Sequence, residues 1–510
     1  MKGTFYITTP IYYPNDIPHI GHAYTTVACD VLARWHRLNG EDVFFLTGTD
    51  EHGRKIEQSA EKNKKKVMEF VDELIPKFKD AWQKLNIGYS RFIRTTEPQH
   101  YAVVQDLLKK SFEKGDIYLG KYEGNYCTGC EAYYTEKELD EGCCRIHKTK
   151  AELISEETYF FKLSAYREKL LELYERVPDF IMPHTRMNEI KNRLKEEIHD
   201  LSISRTSFSW GIPLPFDAKH VTYVWFDALA NYLTGLDYPG ENYRKFWPAV
   251  HLVGKDILWF HSVIWPAMLM SAGIETPRKV FAHGWWTFDK EKISKSRGKV
   301  INVDELIAIA GVDAARYFLM RETTFGQDGD FSSEALLRRR DSDLANELGN
   351  LVSRTLTMCE KYCEGKVPAP GALDAEDAAV IKRAEEVCVK VKSDMEAFNL
   401  SGALNTVWEL VKLLNQYVDK TAPWVLAKEG KTEKIKSVFF VLTEAIRITG
   451  TLVYPFMPSA SEKIIEQLGI AGKEMFALGF DRILSWGYLK PGTTVRKGAV
   501  LFPKDKVNVK

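Results

Sequence analysis

The sequence has no excess of charge of either sign, because 70 lysines and arginines balance 70 aspartates and glutamates over 510 residues. Net charge therefore gives no sign of a nucleic-acid partner, and any contact with a polyanion must come from local patches. The sequence also lacks internal repeats and low-complexity tracts, while 45% of its residues are hydrophobic and 27% are charged. These proportions exclude fibrous and disordered classes and are typical of a globular chain, which at this length should form about three or four domains.

The N-terminus lacks a secretory signal, since residues 1–7 enter a strand-like run without the apolar core and small-residue cleavage site that such a signal needs. Long apolar runs are also rare. Residues 257–274 contain no Asp, Glu, Lys or Arg, but they include His261 and a central Pro266, and there is no comparable second segment. We interpret this stretch as a buried helix rather than a membrane span, and we predict a cytoplasmic protein.

Alternating strand and helix patterns open the chain. Residues 4–9 are rich in β-forming side chains, residues 21–38 place apolar residues at helical spacing, and residues 42–47 form the next strand pattern. Such a unit predicts a Rossmann-like parallel sheet with ligand sites at the carboxyl ends of its strands. After an interruption, residues 221–225 and 251–254 predict further strands of the same sheet.

The remaining segments differ from this α/β pattern. From about residue 116, short strands and turns surround a cysteine cluster and predict an insertion that splits the sheet. Later the pattern becomes almost wholly helical, for example over 344–362, 375–397 and 401–418, and predicts an α-helical bundle. The predicted domains are a catalytic domain in two halves (1–115 and 220–284), a connective insertion (116–219), a region around a lysine-rich loop (285–340) and a helical domain (341–510).

His19 and His22 stand three residues apart at the predicted start of the first helix. Both imidazoles can lie on one face beside the unsatisfied backbone N–H groups of the helix, which suits a phosphate, and Gly21 allows a nucleotide to approach closely. A histidine pair alone is common by chance and could be structural. Its position directly after the first strand favours a phosphate site.

A second motif, Lys292-Ile293-Ser294-Lys295-Ser296, forms a basic loop after an aromatic-rich segment. Such a loop could reach over a triphosphate, although a surface basic turn would have the same composition. Attack of a carboxylate on the α-phosphate of ATP needs no protein nucleophile, only alignment and stabilisation of the charge that develops on the leaving pyrophosphate. Two histidines and two lysines could supply the positive charge and the hydrogen-bond donors for this stabilisation.

Together the two motifs resemble the signature pair of class I aminoacyl-tRNA synthetases, with Ile293 where the second signature usually has Met. Within that class the resemblance is to the methionyl enzymes, and it spans nearly the whole chain. It implies activation of L-methionine by ATP with Mg²⁺, followed by transfer to the 3′ end of tRNA(Met). It further implies that residues 285–340 contact the tRNA stem and that the helical domain binds the anticodon.

The resemblance also implies roles for the nucleotide site. His19 and His22 would hold the triphosphate, and Lys292 and Lys295 would close over it as a mobile loop. The further nucleotide contacts implied by the resemblance are Gly21, Gly254, Asp256, which would accept from ribose hydroxyls, and Arg205, an adenylate contact that could instead be an ordinary ion pair.

A methionine pocket is implied by three stretches similar to those of the methionyl enzymes. A thioether is polarizable and hydrogen-bonds weakly, so close aromatic walls suit it, and Asp50 would pair with the ammonium group. Single aromatics are more often core than ligand-binding, so this prediction depends on the joint pattern. The predicted pocket residues are Ile11, Tyr13, Asp50, Trp225, Ala228, Tyr232, Ile257, His261 and Trp265.

The cysteine cluster predicts a metal site. Cys127 and Cys130 form one close pair and Cys144 and His147 another, a spacing that suits tetrahedral Zn²⁺ and leaves no open position, so the metal would be structural. Reduced thiols or disulfides are the alternatives, and disulfides are disfavoured in a reducing cytoplasm. Cys143 could replace Cys144 as a ligand.

Four residues of the helical domain match anticodon-reading positions of methionyl enzymes: Asn350, Arg354, Pro423 and Trp424. Unpaired bases are recognised by stacking on aromatic rings and by contacts to their edges, which gives Trp424 a role, although it could be a core tryptophan. Because the chain ends soon after residue 504, without the dimerising module of some relatives, we expect a monomer.

Three alternative functions stay open at this point. Another class I synthetase, such as the cysteinyl enzyme, would scatter its metal ligands through the catalytic domain, whereas here the cysteines cluster in the insertion. A nucleotidyltransferase of another kind would leave the helical half unexplained. A non-catalytic tRNA-binding paralogue would normally have lost the charged signatures.

Overall fold

The computed structural model describes residues 2–127, 132–134, 136, 139–146, 148–288, 291–292 and 301–504. Its strands are β1 Lys2–Thr8, β2 Glu41–Thr49, β3 Arg91–Arg94, β4 Ile117–Cys127, β5 Ala132–Tyr134, β6 Leu139–Asp140, β7 Cys143–Cys144, β8 Glu152–Phe161, β9 Ile181–Met182, β10 Leu201–Ser202, β11 Ser204–Arg205, β12 Val221–Thr222, β13 Val250–Gly254, β14 Lys279–His283, β15 Trp286–Phe288, β16 Glu291–Lys292 and β17 Gly329–Asp330.

Its α-helices are α1 Ile20–Leu38, α2 Arg54–Lys62, α3 Val67–Lys84, α4 Pro98–Glu113, α5 Arg167–Arg176, α6 His184–Lys195, α7 Val224–Leu229, α8 Asn231–Thr234, α9 Glu241–Phe246, α10 Trp265–Ala272, α11 Val303–Ala310, α12 Val312–Arg321, α13 Ser333–Arg339, α14 Asn350–Tyr362, α15 Ala375–Glu396, α16 Leu400–Thr421, α17 Pro423–Lys428, α18 Thr432–Val453, α19 Pro458–Gln467, α20 Gly472–Phe476 and α21 Phe480–Ile483.

A parallel sheet of order β3-β2-β1-β13-β14-β9 forms the centre of the N-terminal half. The predicted strands over 4–9, 42–47 and 251–254 and the helix over 21–38 are confirmed as β1, β2, β13 and α1. Strand β13 is buried along its whole length, as expected for a strand covered on both faces. The carboxyl ends of these strands share one edge, where α1 begins, and this edge is the place for a ligand.

The prediction that residues 221–225 continue this sheet is wrong. Val221 and Thr222 pair antiparallel with Arg205 and Ser204 in a separate two-stranded ribbon, and the chain then turns into α7. In a short apolar run the hydrophobic residues show no period that distinguishes a buried strand from a buried helix. The sequence of residues 221–225 therefore fits both structures.

The range predicted as an insertion is built on a long antiparallel ribbon of β4 and β8, with β10 and β5 at its edges. The cysteine-bearing strands lie at the end of this ribbon that is distant from Ile117. Later in the same range, however, β9 joins the central sheet as an edge strand parallel to β14. The chain therefore returns to the catalytic sheet before residue 219.

The charge-free stretch after β13 is a buried helical segment, as predicted. It follows a 3-10 turn Lys255–Ile257 and contains a π-helical turn Phe260–Ile264 and helix α10. Among the residues described, no helix combines the length and the apolar character needed to cross a membrane.

Helices α14, α15, α16 and α18 form the core of the C-terminal half, in agreement with the predicted helical bundle. Arg316, which is fully buried in α12, connects this bundle to the sheet domain. Its guanidinium donates to Oδ2 of Asp30 in α1 at 2.7 Å and to the carbonyls of Pro455 and Phe456, both at 2.9 Å. It also donates to the Leu85 carbonyl after α3 at 3.0 Å. One side chain thus ties α1 to the turn that follows α18.

Candidate functional site

The two signature histidines cap the first turn of α1. Nδ1 of His19 accepts from the N–H of Gly21 at 3.1 Å, and Nδ1 of His22 accepts from the N–H of His19 at 3.3 Å. Their rings stack with centroids 3.8 Å apart. Because both Nδ1 atoms accept, a neutral ring at either position carries its hydrogen on Nε2. The pair is therefore set to present N–H donors beside the positive end of a helix, which suits phosphate oxygens.

Gly21 keeps space for the first of these rings. A Cβ atom at this position would stand 3.0 Å from Cε1 and 3.2 Å from Nδ1 of His19, closer than ordinary van der Waals contact. Any side chain here would displace the ring that caps the helix. There are thus two physical reasons for a glycine at residue 21: the expected close approach of a nucleotide and the space that the His19 ring occupies.

The chain that follows the lysine motif meets α1 at the same place. The N–H of Ile20 donates to the carbonyl of Ile301 at 3.0 Å, and His19 and Asn302 form an antiparallel bridge. At the other end of the motif, Lys292 pairs with Thr287 across β16 and β15. Lys295 lies outside the described residues, and of Lys292 only the backbone is described.

The expected ribose ligand Asp256 lies just beyond the carboxyl end of β13. The indole N–H of Trp285 donates to its Oδ1 at 3.0 Å. A Cβ on Gly254 would stand 2.6 Å from the same oxygen, so a glycine is needed for this carboxylate to fold back over the strand end. Lys255 lies over the Trp285 ring at 4.2 Å and forms an ion pair with Asp328 at 2.6 Å, which fixes the surroundings of Asp256.

Arg205 is buried, with only 3% of its surface exposed. Its guanidinium donates to Ser202 Oγ at 2.8 Å and lies over the ring of Tyr223 at 4.7 Å. It also stands 5.7 Å from the ring of Tyr126, next to the first cysteine of the cluster. It is therefore no surface ion pair. It joins the cysteine-bearing ribbon to the segment that enters α7.

The predicted pocket for an apolar side chain is built around Tyr232. Nδ1 of His261 lies 2.9 Å from the Ile257 carbonyl, to which only its N–H can bond, so Nε2 accepts from the Tyr232 hydroxyl at 2.7 Å. Burial lowers the pKa of His261 to about 4, so this imidazole is neutral near pH 7. The Trp265 ring lies 6.0 Å from that of Tyr232 and donates its N–H to His251 at 3.2 Å.

Other predicted pocket residues converge on the same region. Ile11, Tyr13, Trp225 and Ile257 are half-buried and pack against the hydrophobic cluster that contains Tyr232 and Trp265. Trp225 stacks on Phe260 at 3.8 Å and meets the ring of His261 edge-on at 6.4 Å. Ala228 is buried in α7. Asp50 is 4% exposed just after β2, where its N–H donates to the Tyr12 carbonyl at 2.9 Å.

Comparison with known proteins identifies the family of this chain. The family model described as tRNA synthetases class I (M) matches residues 5–153 and 130–356, and that of the anticodon binding domain of methionyl tRNA ligase matches residues 367–508. The methionine–tRNA ligase of Caldanaerobacter subterraneus subsp. tengcongensis is 51% identical over 99% of this chain and 80% of its own length. The chain belongs to the methionyl-tRNA synthetases.

Relatives and solved structures extend this match. The methionine–tRNA ligase of Clostridium tetani is 48% identical over all of this chain and 80% of its own length. A Mycobacterium tuberculosis methionyl-tRNA synthetase solved in complex with methionyl-adenylate superposes with a TM-score of 0.95 at 42% identity. That superposition covers 98% of this chain and 100% of the other. The chain is thus similar to methionyl-tRNA synthetases along both its sheet domain and its helical domain.

The four anticodon residues expected of a methionyl-tRNA synthetase lie on two helices, α14 and α17. Asn350 is exposed at the start of α14, directly after the π-helical stretch Arg340–Gly349. Arg354 is held against α16 by bonds of 2.8 Å to Asp419 and to the Asn415 carbonyl. Pro423 is buried at the start of α17.

Trp424 is 41% exposed, so it is not a core tryptophan. It follows α16 by way of Ala422, whose φ of +40° is unusual for a residue with a side chain. The turn places the exposed indole of Trp424 beside the end of α16, the helix to which Arg354 is bonded.

Two of the four predicted zinc ligands are described. Cys127 ends β4 and Cys144 ends β7, and each is 1% exposed, whereas Cys143 is half-buried. The N–H of Lys148 donates to the Cys144 carbonyl at 2.7 Å and closes a tight turn. Cys130 and His147 lie outside the described residues, within which no cluster of potential metal ligands is found. Two buried thiols at the ends of short strands fit a zinc knuckle.

Sequence reasoning missed a set of buried histidines beside the predicted pocket of this synthetase: His52, His100, His251 and His283. His283 ends β14, and its Nε2 accepts from the Thr25 hydroxyl of α1 at 2.7 Å. A histidine at the end of the short apolar run 280–282 was the available signal for His283. The signal for the others was weak, because a single histidine in an apolar segment is commonly a satisfied core residue.

Proposed function

We propose that the chain is a methionine–tRNA ligase, which activates L-methionine with ATP and then transfers it to the 3′ end of tRNA(Met). The observation that carries this proposal is the stacked pair His19 and His22, whose helix start is bonded to Ile301 in the chain that follows the lysine motif. The start of α1 and the chain after the lysine motif, which are distant in sequence, thus meet at a helix terminus suited to phosphate.

The first half-reaction is attack of a methionine carboxylate oxygen on the α-phosphorus of ATP, with pyrophosphate as the leaving group. His19 and His22 would donate from Nε2 to the triphosphate, and Lys292 and Lys295 would neutralise the charge that develops on pyrophosphate. Mg²⁺ would accompany ATP. Asp256, positioned by Trp285, would accept from the ribose hydroxyls, and Arg205 would bind the adenylate.

Methionine would bind with its ammonium group on Asp50 and its side chain against Tyr13, Trp225, Tyr232 and Trp265. The neutral His261 supports a thioether site, because it adds polarizable surface without a charge that would need a counter-ion. Ile11, Ala228 and Ile257 would complete the apolar wall. In the second half-reaction the terminal ribose hydroxyl of tRNA would attack the carbonyl carbon, and AMP would leave.

A structural Zn²⁺ would be held by Cys127, Cys130, Cys144 and His147. The burial of Cys144 and the exposure of Cys143 favour Cys144 as the ligand. Arg205 lies over Tyr126, the neighbour of Cys127, so the knuckle would support the adenylate site through this contact. The anticodon would be read by Asn350, Arg354, Pro423 and Trp424. We expect the enzyme to be cytoplasmic. We also expect it to be a monomer, and light scattering measures this oligomeric state.

The test is ATP–pyrophosphate exchange with each of the twenty amino acids, followed by charging of tRNA(Met). Exchange that depends on methionine alone, together with esterification of the tRNA, is the expected result. Exchange with cysteine would support the cysteinyl alternative, and tRNA binding without exchange would support a non-catalytic paralogue.

A further inference from the structure

Asp227 is a fully buried carboxylate in α7 with a histidine on each oxygen. Nε2 of His100 lies 2.8 Å from Oδ1 and Nδ1 of His52 lies 2.7 Å from Oδ2. Both histidine side chains are at most 1% exposed. Burial alone would raise the pKa of Asp227, but the two imidazoles outweigh it and lower this pKa to about 2, so the group is an anion.

The outer nitrogens of the two imidazoles are bonded in turn to different elements. Nδ1 of His100 lies 2.9 Å from the Thr234 hydroxyl in α8, and Nε2 of His52 lies 3.0 Å from the hydroxyl of Tyr101 in α4. The cluster therefore links α4, α7, α8 and the loop that follows β2. Removing its central anion would leave two buried polar rings without their shared partner.

The position of this cluster relates it to methionine. Asp227 stands between Trp225 and Ala228, which form part of the proposed side-chain wall, whereas His52 stands two residues after Asp50, the proposed ammonium ligand. The main chain after His52 is held as well, because the Gly53 N–H donates to the Trp210 carbonyl at 3.2 Å. The contact between His52 and Asp227 thus joins the two walls of one pocket across 175 residues of sequence.

A buried carboxylate is expensive unless it is well paired, and a hydrophobic residue in its place is often no less stable. General stability is therefore a weak reason for such a cluster. A fixed separation between an ammonium ligand and an apolar wall is a stronger one, because amino acids of similar character differ in the distance from the α-carbon to the end of the side chain. Small displacements of such walls are costly in catalysis.

We propose that Asp227 is a positioning residue that, through His52 and His100, sets the separation between Asp50 and the Trp225–Ala228 wall and so determines specificity for methionine. This inference rests on the proposed function. It assigns Asp227 no contact with methionine, ATP or tRNA.

The experiment compares His52→Ala with His52→Asn, since the asparagine amide can replace Nδ1 of the histidine and keep an N–H near Asp227. The Asp227→Asn variant is measured beside them. The control is Asp377→Asn, which removes another fully buried carboxylate, bonded to Tyr417 and Lys434 in the helical domain. Pyrophosphate exchange gives KM for methionine and for ATP, and the ratio of kcat/KM for methionine over ethionine, whose side chain is one carbon longer, with active sites titrated.

For His52→Ala and Asp227→Asn we expect KM for methionine to rise about 10- to 100-fold, the size of one lost interaction with a buried charge, while KM for ATP changes by less than about twofold. The preference over the longer ethionine should fall, and His52→Asn should recover most of both effects. Asp377→Asn should change neither.

The proposal is overturned if KM for methionine stays at the wild-type value in His52→Ala, or if KM for methionine and for ATP rise together. A loss of active sites with unchanged constants would mean a purely structural role. If Asp227→Asn does not fold, the two His52 variants decide. Wild-type protein without methionine-dependent exchange would contradict the proposed function instead, so the two failures are distinct.

Discussion

The N–H of Ile20 donates to the carbonyl of Ile301 at 3.0 Å, and this bond ties the residue after the first signature histidine to the residue that ends the lysine-rich segment. Lys292, at the start of that segment, is paired with Thr287 in β15. The chain that follows the segment is therefore anchored beside the helix start that we assign to the triphosphate, and the chain at its beginning is anchored on β15.

Gly21→Ala should reduce kcat/KM for ATP by about 10-fold, less than the roughly 100-fold that a misplacement of about 1 Å can cost a catalytic group. The added methyl would stand 3.0 Å from Cε1 of His19 and push the ring from its cap. Pyrophosphate exchange measures the effect. Gly3→Ala is the control, because a Cβ at residue 3 meets nothing within 4 Å. Equal activity of both variants would show that the ring position is unimportant.

Stability should fall as the pH is lowered from 8 to 5. Burial lowers the pKa of His261 to about 4, so between that value and the ordinary value near 6.5 the unfolded chain binds a proton that the folded protein excludes. At pH 5 this single group should cost about 2 kcal/mol. Burial also lowers the pKa of His251 and His283, in the same direction.

Urea denaturation at each pH measures this slope. His261→Gln should make it shallower, whereas a change at His184, which is 64% exposed, should not. If His261→Gln leaves the slope of the free energy of unfolding against pH unchanged, His261 is protonated in the folded state, contrary to the prediction.

Cys144→Ser should abolish the bound zinc, and Cys143→Ser should keep it. Cys144 is buried near the end of its short strand while Cys143 is half-buried, so only the former thiol is shielded from water as a structural ligand requires. Elemental analysis should find about one zinc per wild-type chain, as four protein ligands imply. If Cys144→Ser retains the zinc and Cys143→Ser loses it, Cys143 and not Cys144 is the ligand.

Trp424→Ala should lower kcat/KM for tRNA charging by about 5- to 100-fold, because stacking of one base on an aromatic ring contributes about 1–3 kcal/mol. Methionine-dependent pyrophosphate exchange without tRNA should be unchanged. Val425→Ala is the matched control, since Val425 is 40% exposed on the same short helix. A common effect of both variants on charging would indicate local unfolding of α17 rather than loss of a stacking surface.

The elements that the sequence predicted well have a clear period or a chemical signature. β1, α1, β2 and β13 followed from apolar periodicity, and the helical bundle from long amphipathic stretches. The prediction for residues 221–225 failed because five apolar residues fit a strand and a buried helix equally well. Nothing local in the sequence indicates that Ile181 and Met182 would return to the edge of the central sheet, since that depends on tertiary packing.

The site was predictable where motifs placed residues near one another in sequence, as for His19 and His22. The contact between His52 and Asp227 was not, because no pattern in a single sequence connects residues so far apart. The same holds for Trp285 and Asp256, where the indole N–H and the carboxylate meet only after the lysine-rich region folds beside β13.

Arg316 makes the sheet domain and the helical domain depend on each other for stability. Its guanidinium holds a carboxylate of the nucleotide half and two carbonyls of the anticodon half, all out of water. A fragment cut before α18 would keep the ion pair between Arg316 and Asp30 but lose two carbonyl acceptors of the guanidinium, and the exposed helix would then carry unsatisfied N–H donors and an uncovered apolar face. Trimming this synthetase to its N-terminal half should therefore yield an insoluble or partly unfolded product rather than a smaller catalyst.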